Sequence, residues 1–278
     1  MTTPDKSVAW YKEEIGEIPA SGQDLLDRYS SIPAEDLAQH LFKMRDKAWN
    51  IAPYPCIGSW LFLKPSISQS PIYAEILARL QEKDQRLLDL GCCVGQDIRK
   101  LVLDGAPAEH IYGLDLKAGL MDAGYDLFRD RDSLRSTFIA ADILDDSSSS
   151  SPELRELDGQ IDIVFAGSFF HVFDWDAQMR ISKRLARLMR SVPGSLVFGH
   201  HLGHVAPDTY PLGLGAGSVY AHDEGSLQRM WTQVGLETES KWRVEAELEG
   251  TGMRVGFTKE GKWGDPGRRY MRFVVWRE

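Results

Sequence analysis

Residues 86–97 read R-L-L-D-L-G-C-C-V-G-Q-D and join an apolar strand pattern to a helical pattern. The strand pattern ends at Asp89, glycines follow at Gly91 and Gly95, and the helical pattern begins at Ile98. A strand that turns this tightly into a helix places free helical N–H groups beside a backbone that glycine leaves open to a ligand. The stretch therefore predicts a nucleotide-binding turn.

Three further strand patterns follow the turn and run into residues suited to a ligand. The first ends in Asp115, which stands 24 positions after Gly91, where a carboxylate could accept two hydrogen bonds from a ribose diol. The other two patterns run into further candidates: residues 136–140 are followed by Asp142, and residues 161–165 by a segment that ends at His171. Because open α/β sheets bind ligands at the carboxyl ends of their strands, we take these positions as candidate site residues.

Two classes of nucleotide compete for this turn. Dinucleotide-binding turns read G-x-G-x-x-G, with a third glycine for helix–strand packing and an acid about 20 positions further on. The chain has G-C-C-V-G instead, and it contains no Tyr-x-x-x-Lys pair. These residues disfavour a nicotinamide-dependent oxidoreductase but leave it as an alternative from another class.

An acid two residues before the first glycine, as Asp89 is here, resembles the first motif of class I S-adenosylmethionine-dependent methyltransferases, D-x-G-x-G-x-G. The chain departs from that motif at Cys93, where the middle glycine is expected, but a cysteine is small. The order and spacing of the four strand patterns also match this family. Residues 60–64, 87–97 and 165–175 further resemble small fungal methyltransferases of secondary metabolism, some of which make methyl esters of meroterpenoid acids. The resemblance covers the chain from about residue 50 onward.

The resemblance implies an α/β, Rossmann-like class I methyltransferase fold, with a seven-stranded, mostly parallel sheet and a terminal antiparallel hairpin. It implies an N-terminal helical lid or substrate cap at residues 1–65 and a cofactor-binding domain at residues 66–278. In this family the acid after the third strand lies beside the adenine amino group, and the fourth strand ends beside the reacting methyl. With S-adenosyl-L-methionine as cofactor, the implied binding residues are Asp89, Gly91, Cys92, Gly95, Asp115, Leu116, Asp142, Ile143 and Ala166.

Composition and charge restrict the other function classes. The chain has 278 residues, 43% of them hydrophobic, and its formal net charge of −9 argues against a nucleic-acid substrate. No apolar run approaches the roughly 20 residues that span a bilayer, and the first residues lack the pattern of a secretory signal. Three cysteines, two of them adjacent, suit a reducing compartment better than a disulfide framework or a zinc site. We expect a cytoplasmic monomer or homodimer that binds a small molecule and neither nucleic acid nor membrane.

The segment before the turn contains an aromatic connector broken by prolines, residues 53–63. It could be a packed linker. It could also belong to the lid, with Tyr54, Trp60 and Phe62 walling the substrate or the sulfonium of the cofactor. A cation near an aromatic face is favourable by about 0.5–2 kcal/mol.

Histidines at the carboxyl ends of predicted strands are candidates for proton chemistry. His171 falls just past the fourth strand pattern, and His200 and His201 fall just past the fifth, residues 195–199. His171 could be a general base, could orient the substrate through a hydrogen bond, or could be structural. We predict no metal site, because His200 and His204, which have a suitable spacing, lie in a predicted loop. On the substrate side we place His171 as the catalytic candidate, together with Tyr54, Trp60, Phe62, Phe170, His200, His201 and Tyr220.

The remaining patterns predict helices and the end of the sheet. Helices are expected at residues 71–83, with Ser70 as N-cap, and at 175–190, and strands at 238–248 and 270–276. The second helix carries five cations that we interpret as a solvated face: Arg180, Lys183, Arg184, Arg187 and Arg190.

We therefore expect an O-methyltransferase that acts on a hydrophobic natural product. The methylated group could be a carboxyl group. A hydroxyl nucleophile would need a base such as His171, whereas a carboxylate is already ionised at neutral pH. Methylation of nitrogen or carbon is the alternative within the class. A catalytically silent binding module also stays open, because Cys93 replaces a motif glycine.

Overall fold

The computed structural model describes residues 4–145, 151–212, 217–250, 258–262 and 264–278. The helices in these ranges are α1 (Ala20–Asp24), α2 (Ala34–Ile51), α3 (Pro55–Gly58), α4 (Tyr73–Glu82), α5 (Gln96–Leu103), α6 (Ala118–Phe128), α7 (Pro152–Glu156), α8 (Trp175–Leu188) and α9 (Glu224–Glu237). The strands are β1 (Leu87–Leu90), β2 (Ile111–Asp115), β3 (Thr137–Ala140), β4 (Ile163–Gly167), β5 (Leu196–His204), β6 (Asp208–Pro211), β7 (Ser218–Ala221), β8 (Trp242–Glu249) and β9 (Arg268–Arg277). None of the helices in the described part of the chain has the length and hydropathy needed to cross a membrane.

Within the described ranges, seven strands form one sheet in the order β3-β2-β1-β4-β5-β9-β8. The pairs β2–β3, β1–β4 and β4–β5 are parallel, whereas β9 runs antiparallel to both β5 and β8. The predicted fold class, a mostly parallel sheet that ends in an antiparallel hairpin, is therefore confirmed. A separate two-stranded hairpin, β6–β7, was not predicted from the sequence.

The chain forms two compact units: Met1–Gln85 with Cys92–Ala141, and Arg86–Gly91 with Asp142–Glu278. The first unit contains β2, β3 and the N-terminal helices, and the second contains the other strands of the sheet.

The N-terminal helices have their own apolar core in the first unit. Leu41 and Met44 of α2 pack there with Trp60, and the guanidinium of Arg45 lies 4.2 Å from the Trp60 ring centroid and 4.3 Å from that of Tyr11. Guanidinium groups stack favourably on aromatic faces. Side-chain contacts thus hold the N-terminal segment in place, in addition to its covalent connection to the rest of the chain.

A buried ion pair lies behind the turn that follows β1. Arg99 of α5 is 0% exposed, and its Nε and Nη2 donate to the two carboxylate oxygens of Asp130 at 2.7 and 2.9 Å. Its Nη1 donates to the carbonyl oxygens of Val94 and Gly95 at 2.8 and 3.1 Å. The hydroxyl of Tyr29 donates to Asp130 at 2.7 Å. The pair is bidentate and well satisfied, which is the condition under which a buried charge is tolerated.

Strand β5 is longer than the sequence pattern predicted, because all nine of its residues pair with β9. The predicted end at residue 199 is therefore wrong, and His200, His201 and His204 lie within the strand and not in a loop. A ladder to a strand about 70 positions away leaves no signal in the local pattern of β5.

Two other local predictions are corrected. Helix α4 begins at Tyr73 without a side-chain cap, so Ser70 does not act as its N-cap. On α8, Arg184 is buried and donates to Asp158 at 2.7 Å, so the predicted solvated face is wrong at that position. Long side chains such as arginine can bury their stems when a carboxylate meets the charged end.

Replacing Arg99 by leucine should strongly destabilise the protein, because Asp130 would keep a buried charge with no cationic partner. We expect a loss of about 3–5 kcal/mol in the free energy of unfolding, measured by urea titration. The matched control is Arg131→Leu, since Arg131 forms a surface ion pair with Asp122 and should leave the midpoint almost unchanged. Equal effects of the two substitutions would contradict this role of Arg99.

Candidate active site

The turn between β1 and α5 uses the left-handed backbone region at three positions. Gly91, Cys93 and Gly95 have φ values of 75°, 52° and 69°. A Cβ at Gly91 would lie 2.5 Å from a ring carbon of Phe169, and one at Gly95 would lie 2.9 Å from ring carbons of Phe138. Glycine is therefore required at both ends of the turn, whereas the middle position accepts a cysteine in a left-handed conformation.

Asp115 ends β2 and is tied to this turn within the first unit. Its Oδ2 accepts the backbone N–H of Cys93 and its Oδ1 accepts that of Lys117, both at 2.9 Å. Burial raises the pKa of this carboxyl, and the backbone hydrogen bonds from Lys117 and Cys93 oppose that shift. Because a carboxylate has about four lone-pair sites, it can accept a further hydrogen bond beside these backbone groups.

The N-terminal segment contacts the same turn through cysteines. The thiols of Cys56 and Cys93 share a hydrogen bond, which lowers the pKa of Cys56 and raises the pKa of Cys93. Both side chains pack against an apolar cluster that includes Trp49 and Leu120. The cysteine that replaces the motif glycine thus contacts residues far from it in sequence.

The three aromatic residues predicted for the lid have different environments. Tyr54 is 39% exposed, and its pKa is raised by burial and then by the charge of Asp115. Trp60 and Phe62 are almost fully buried in the N-terminal core. Of the three, Tyr54 is the one with a surface that a ligand can reach in this structure.

The other predicted cofactor residues divide into buried and accessible positions. Asp89 is buried at the end of β1, opposite Phe165 of β4. Asp142 accepts the backbone N–H of Leu144 at 2.9 Å, which closes a local turn after β3. Cys92, Ile143 and Ala166 are buried, and Leu116 is exposed.

His171 and His200 are neighbours in the second unit. His171 lies in the single turn Phe170–Val172 after β4, is half-buried, and has a pKa lowered to about 4 by burial, then by the charges of His200 and Arg268. His200 pairs with Gly167 in the sheet, and its pKa is lowered to about 4, chiefly by burial. Its Nδ1 lies 3.4 Å from the hydroxyl oxygen of Ser168. Both imidazoles are therefore neutral at physiological pH.

His201 and Phe170 belong to the core of the second unit. The His201 ring lies 5.2 Å from Phe273 and 6.3 Å from Phe170, and its Nε2 lies 3.2 Å from the sulfur of Met271. Their burial does not support the prediction that they contact substrate. The Tyr220 ring packs at 4.8 Å on Trp175 and remains half-buried.

Sequence reasoning missed Arg268, which starts β9 opposite His204. The available signal was the alternation of Arg268, Tyr270 and Arg272, because residues two apart in a strand share a face. In the ranges that the structure describes, no three His, Cys, Asp or Glu side chains are grouped as metal ligands would be.

Comparison with known proteins assigns the family. A model described as the meroterpenoid methyltransferase N-terminal domain matches residues 10–63, and a methyltransferase domain model matches residues 87–192. The O-methyltransferase atr3 of Stereocaulon alpinum is 44% identical over 274 residues, which cover 98% of this chain and 77% of that protein. The chain belongs to the class I S-adenosylmethionine-dependent methyltransferases. The asnovolin E/chermesin D methyltransferase nvfJ of Aspergillus novofumigatus is 40% identical, over 88% of this methyltransferase and 87% of its own length.

Solved structures support the fold of this methyltransferase. Phosphoethanolamine N-methyltransferase 2 of Haemonchus contortus superposes with a TM-score of 0.52 at 15% identity, over 93% of this chain and 60% of that one. An S-adenosylmethionine-dependent methyltransferase of Mesorhizobium loti gives 0.50 at 15% identity, over 76% and 100%. The prediction of an S-adenosylmethionine-dependent O-methyltransferase of fungal secondary metabolism is confirmed by the curated relatives, and the oxidoreductase alternative is set aside.

Acidification should destabilise this methyltransferase through its buried histidines. The pKa is lowered to about 4 for His171 and His200 and to about 3 for His222, from 6.5. Between pH 6.5 and about 4 the unfolded chain therefore binds more protons, and the free energy of unfolding falls as the pH falls. Asp97 opposes this trend below pH 6, because burial raises its pKa to about 6.

Burial also lowers the pKa of His201, so four histidines against one carboxyl predict a net loss of several kcal/mol between pH 7 and pH 5, measured by urea unfolding at each pH. His222→Asn should reduce this pH dependence, since it removes one of the four histidines whose pKa is lowered. A free energy of unfolding that is unchanged or higher at pH 5 would contradict the assignment.

Proposed function

We propose that this methyltransferase methylates a carboxylate oxygen of a hydrophobic natural product and forms a methyl ester. The observation that carries the proposal is the state of two imidazoles: His171, which follows β4, and His200, which lies in the middle of β5 and pairs with the last residue of β4. Neither His171 nor His200 has a hydrogen bond to a carboxylate among the described residues, and each has a pKa of about 4.

A methyltransferase that acts on a hydroxyl group needs a base matched to that group. General bases work best with a pKa near the operating pH, and a catalytic histidine is commonly oriented by an acid. His171 and His200 meet neither condition. A carboxylate acceptor needs no base, because it is ionised at neutral pH.

The relatives support oxygen as the acceptor atom. Two similar proteins are named O-methyltransferases, and the N-terminal family model carries the description of meroterpenoid methyltransferases. Free thiols at all three cysteines also support a reducing, cytoplasmic location for the enzyme.

For the cofactor, we propose that Asp115 binds the ribose hydroxyls and that Asp142 and Ile143 hold the adenine. The remaining lone-pair sites of the Asp115 carboxylate and the positive φ of Gly91 and Gly95 fit a nucleoside held close to the backbone. S-Adenosylmethionine, when bound, supplies a methyl group on an electrophilic sulfonium. The protein then has to hold the acceptor in line and exclude water. We propose residues 1–65 as the lid, since Tyr54 lies near Asp115.

Asp115→Ala should weaken the binding of S-adenosylhomocysteine by at least about tenfold, because hydrogen bonds to a charged group are lost. Isothermal titration calorimetry gives this affinity directly. Asp115→Asn keeps one acceptor oxygen and should lose less. Asp122→Ala, on the exposed side of α6, is the matched control and should bind like the wild type. Equal affinity of Asp115→Ala and wild type would refute the ribose contact.

The ester proposal is tested with methyl-labelled S-adenosylmethionine and a panel of lipophilic carboxylic acids and phenols. We expect a labelled product that releases methanol on mild alkaline hydrolysis, as esters do and ethers do not. His171→Ala should keep activity within about tenfold, because no proton has to be removed, whereas the loss of a general base costs about 10²–10⁴-fold. A base-stable product, together with a large loss in His171→Ala, would instead indicate a hydroxyl acceptor.

A further inference from the structure

One side of the β5–β9 ladder holds polar groups that lack partners. Arg268 Nε, His171 Nδ1 and His200 Nε2 are all buried, and none of them has a hydrogen-bond partner among the described residues. Native proteins satisfy nearly all buried polar atoms, and each exception needs an explanation. Three exceptions close together indicate a ligand that satisfies them.

The ladder register puts Arg268 and His200 on the same face, four residues apart along the ladder, and His171 lies outside the ladder, after β4. In the antiparallel pair, His204 faces Arg268 and His200 faces Arg272, so these side chains and that of Tyr270 project from the same face. The ring of Tyr270 stacks on His200 at 4.9 Å between centroids. The charge of Arg268 reaches His171, which follows β4.

Arg268 forms no ion pair with any residue that the structure describes, in contrast to Arg272 on the same face. It is 3% exposed, and its guanidinium lies 4.7 Å from the Tyr210 ring centroid. Arg272 pairs with Glu249 at 2.6 Å. A buried cation with no counter-ion in the described ranges is expensive, and an anion bound there would remove that cost.

The nearest acid does not fill this role. Asp265 Oδ1 lies 3.3 Å from His204 Nε2 and accepts the backbone N–H of Gly267 at 2.9 Å. Its charge acts on Arg268, but no ion pair forms between them within the described part of the chain. The guanidinium therefore keeps donors for a ligand.

We propose that Arg268 and the neighbouring His171, with His200 on the other side of His171, form the binding site for the carboxylate of the acceptor. This site rests on the proposed function, since it assigns the carboxylate that becomes an ester. Arg268 donates to the carboxylate, and the neutral imidazoles each offer one N–H at most. Methylation removes the negative charge, so the ester binds more weakly than the acid and leaves.

The site should distinguish an acid from its own ester. With S-adenosylhomocysteine present, we expect wild-type protein to bind 2-naphthoate at least about tenfold more tightly than methyl 2-naphthoate in calorimetric titration. Arg268→Gln should abolish this preference. It should also raise KM at least tenfold for any acid that is turned over, with a smaller change in kcat, while the affinity for S-adenosylhomocysteine stays unchanged.

The matched control is Arg277→Gln, at the other end of β9 and about 30 Å away along the strand. It should retain the preference for the acid. Arg268→Lys keeps the positive charge but lacks the planar guanidinium, so its preference for the acid should lie between those of the wild type and Arg268→Gln. This variant also provides a test if Arg268→Gln does not fold. No preference in the wild type, or a full preference in a folded Arg268→Gln or Arg268→Lys, would overturn the site.

The two proposals can fail separately. A base-stable methylated product with an intact acid preference at Arg268 would reject the ester chemistry and keep the anion site. An ester product with unchanged KM in Arg268→Gln would keep the chemistry and reject the site.

Discussion

The buried ion pair of Arg99 with Asp130 is the interaction on which the first unit depends. The guanidinium of Arg99 also donates hydrogen bonds to the carbonyl oxygens of Val94 and Gly95, which lie in the turn after β1. Tyr29 brings the N-terminal segment onto the same carboxylate. Because a buried charge cannot lose its partner without a large cost, the pair keeps the turn and the N-terminal segment in one arrangement.

The second unit differs from the first in how its buried ionisable groups are balanced. Its histidines are buried and neutral, and Arg268 forms no ion pair in the described ranges, although the charge of Asp265 acts on it. The groups after β4 and at the start of β9 therefore suit the carboxylate that we propose as their ligand. In methyl transfer the cofactor itself supplies the electrophilic methyl group. The protein therefore has to hold and orient the acceptor, and does not have to deprotonate it when the acceptor is a carboxylate.

Cys93 shows how a motif can lose a glycine and keep its geometry. The residue adopts φ 52°, its N–H still donates to Asp115, and its thiol contacts Cys56. A left-handed conformation costs a non-glycine residue roughly 1–2 kcal/mol. Packing against the N-terminal apolar cluster offsets part of that cost. The substitution thus links the turn to the segment proposed as a lid.

Local pattern was enough to predict the parallel strands, the glycine turn and the acid at Asp115, because strand periodicity and turn chemistry act over a few residues. Those features also led to the family and its cofactor. The length of β5, the burial of Arg184 and the inward face of His201 could not be predicted in this way. Each depends on a partner distant in sequence, as His201 and Met271 are 70 positions apart. That Arg268 forms no ion pair with the described residues is likewise a property of packing, since a sequence shows which charges exist but not which of them meet.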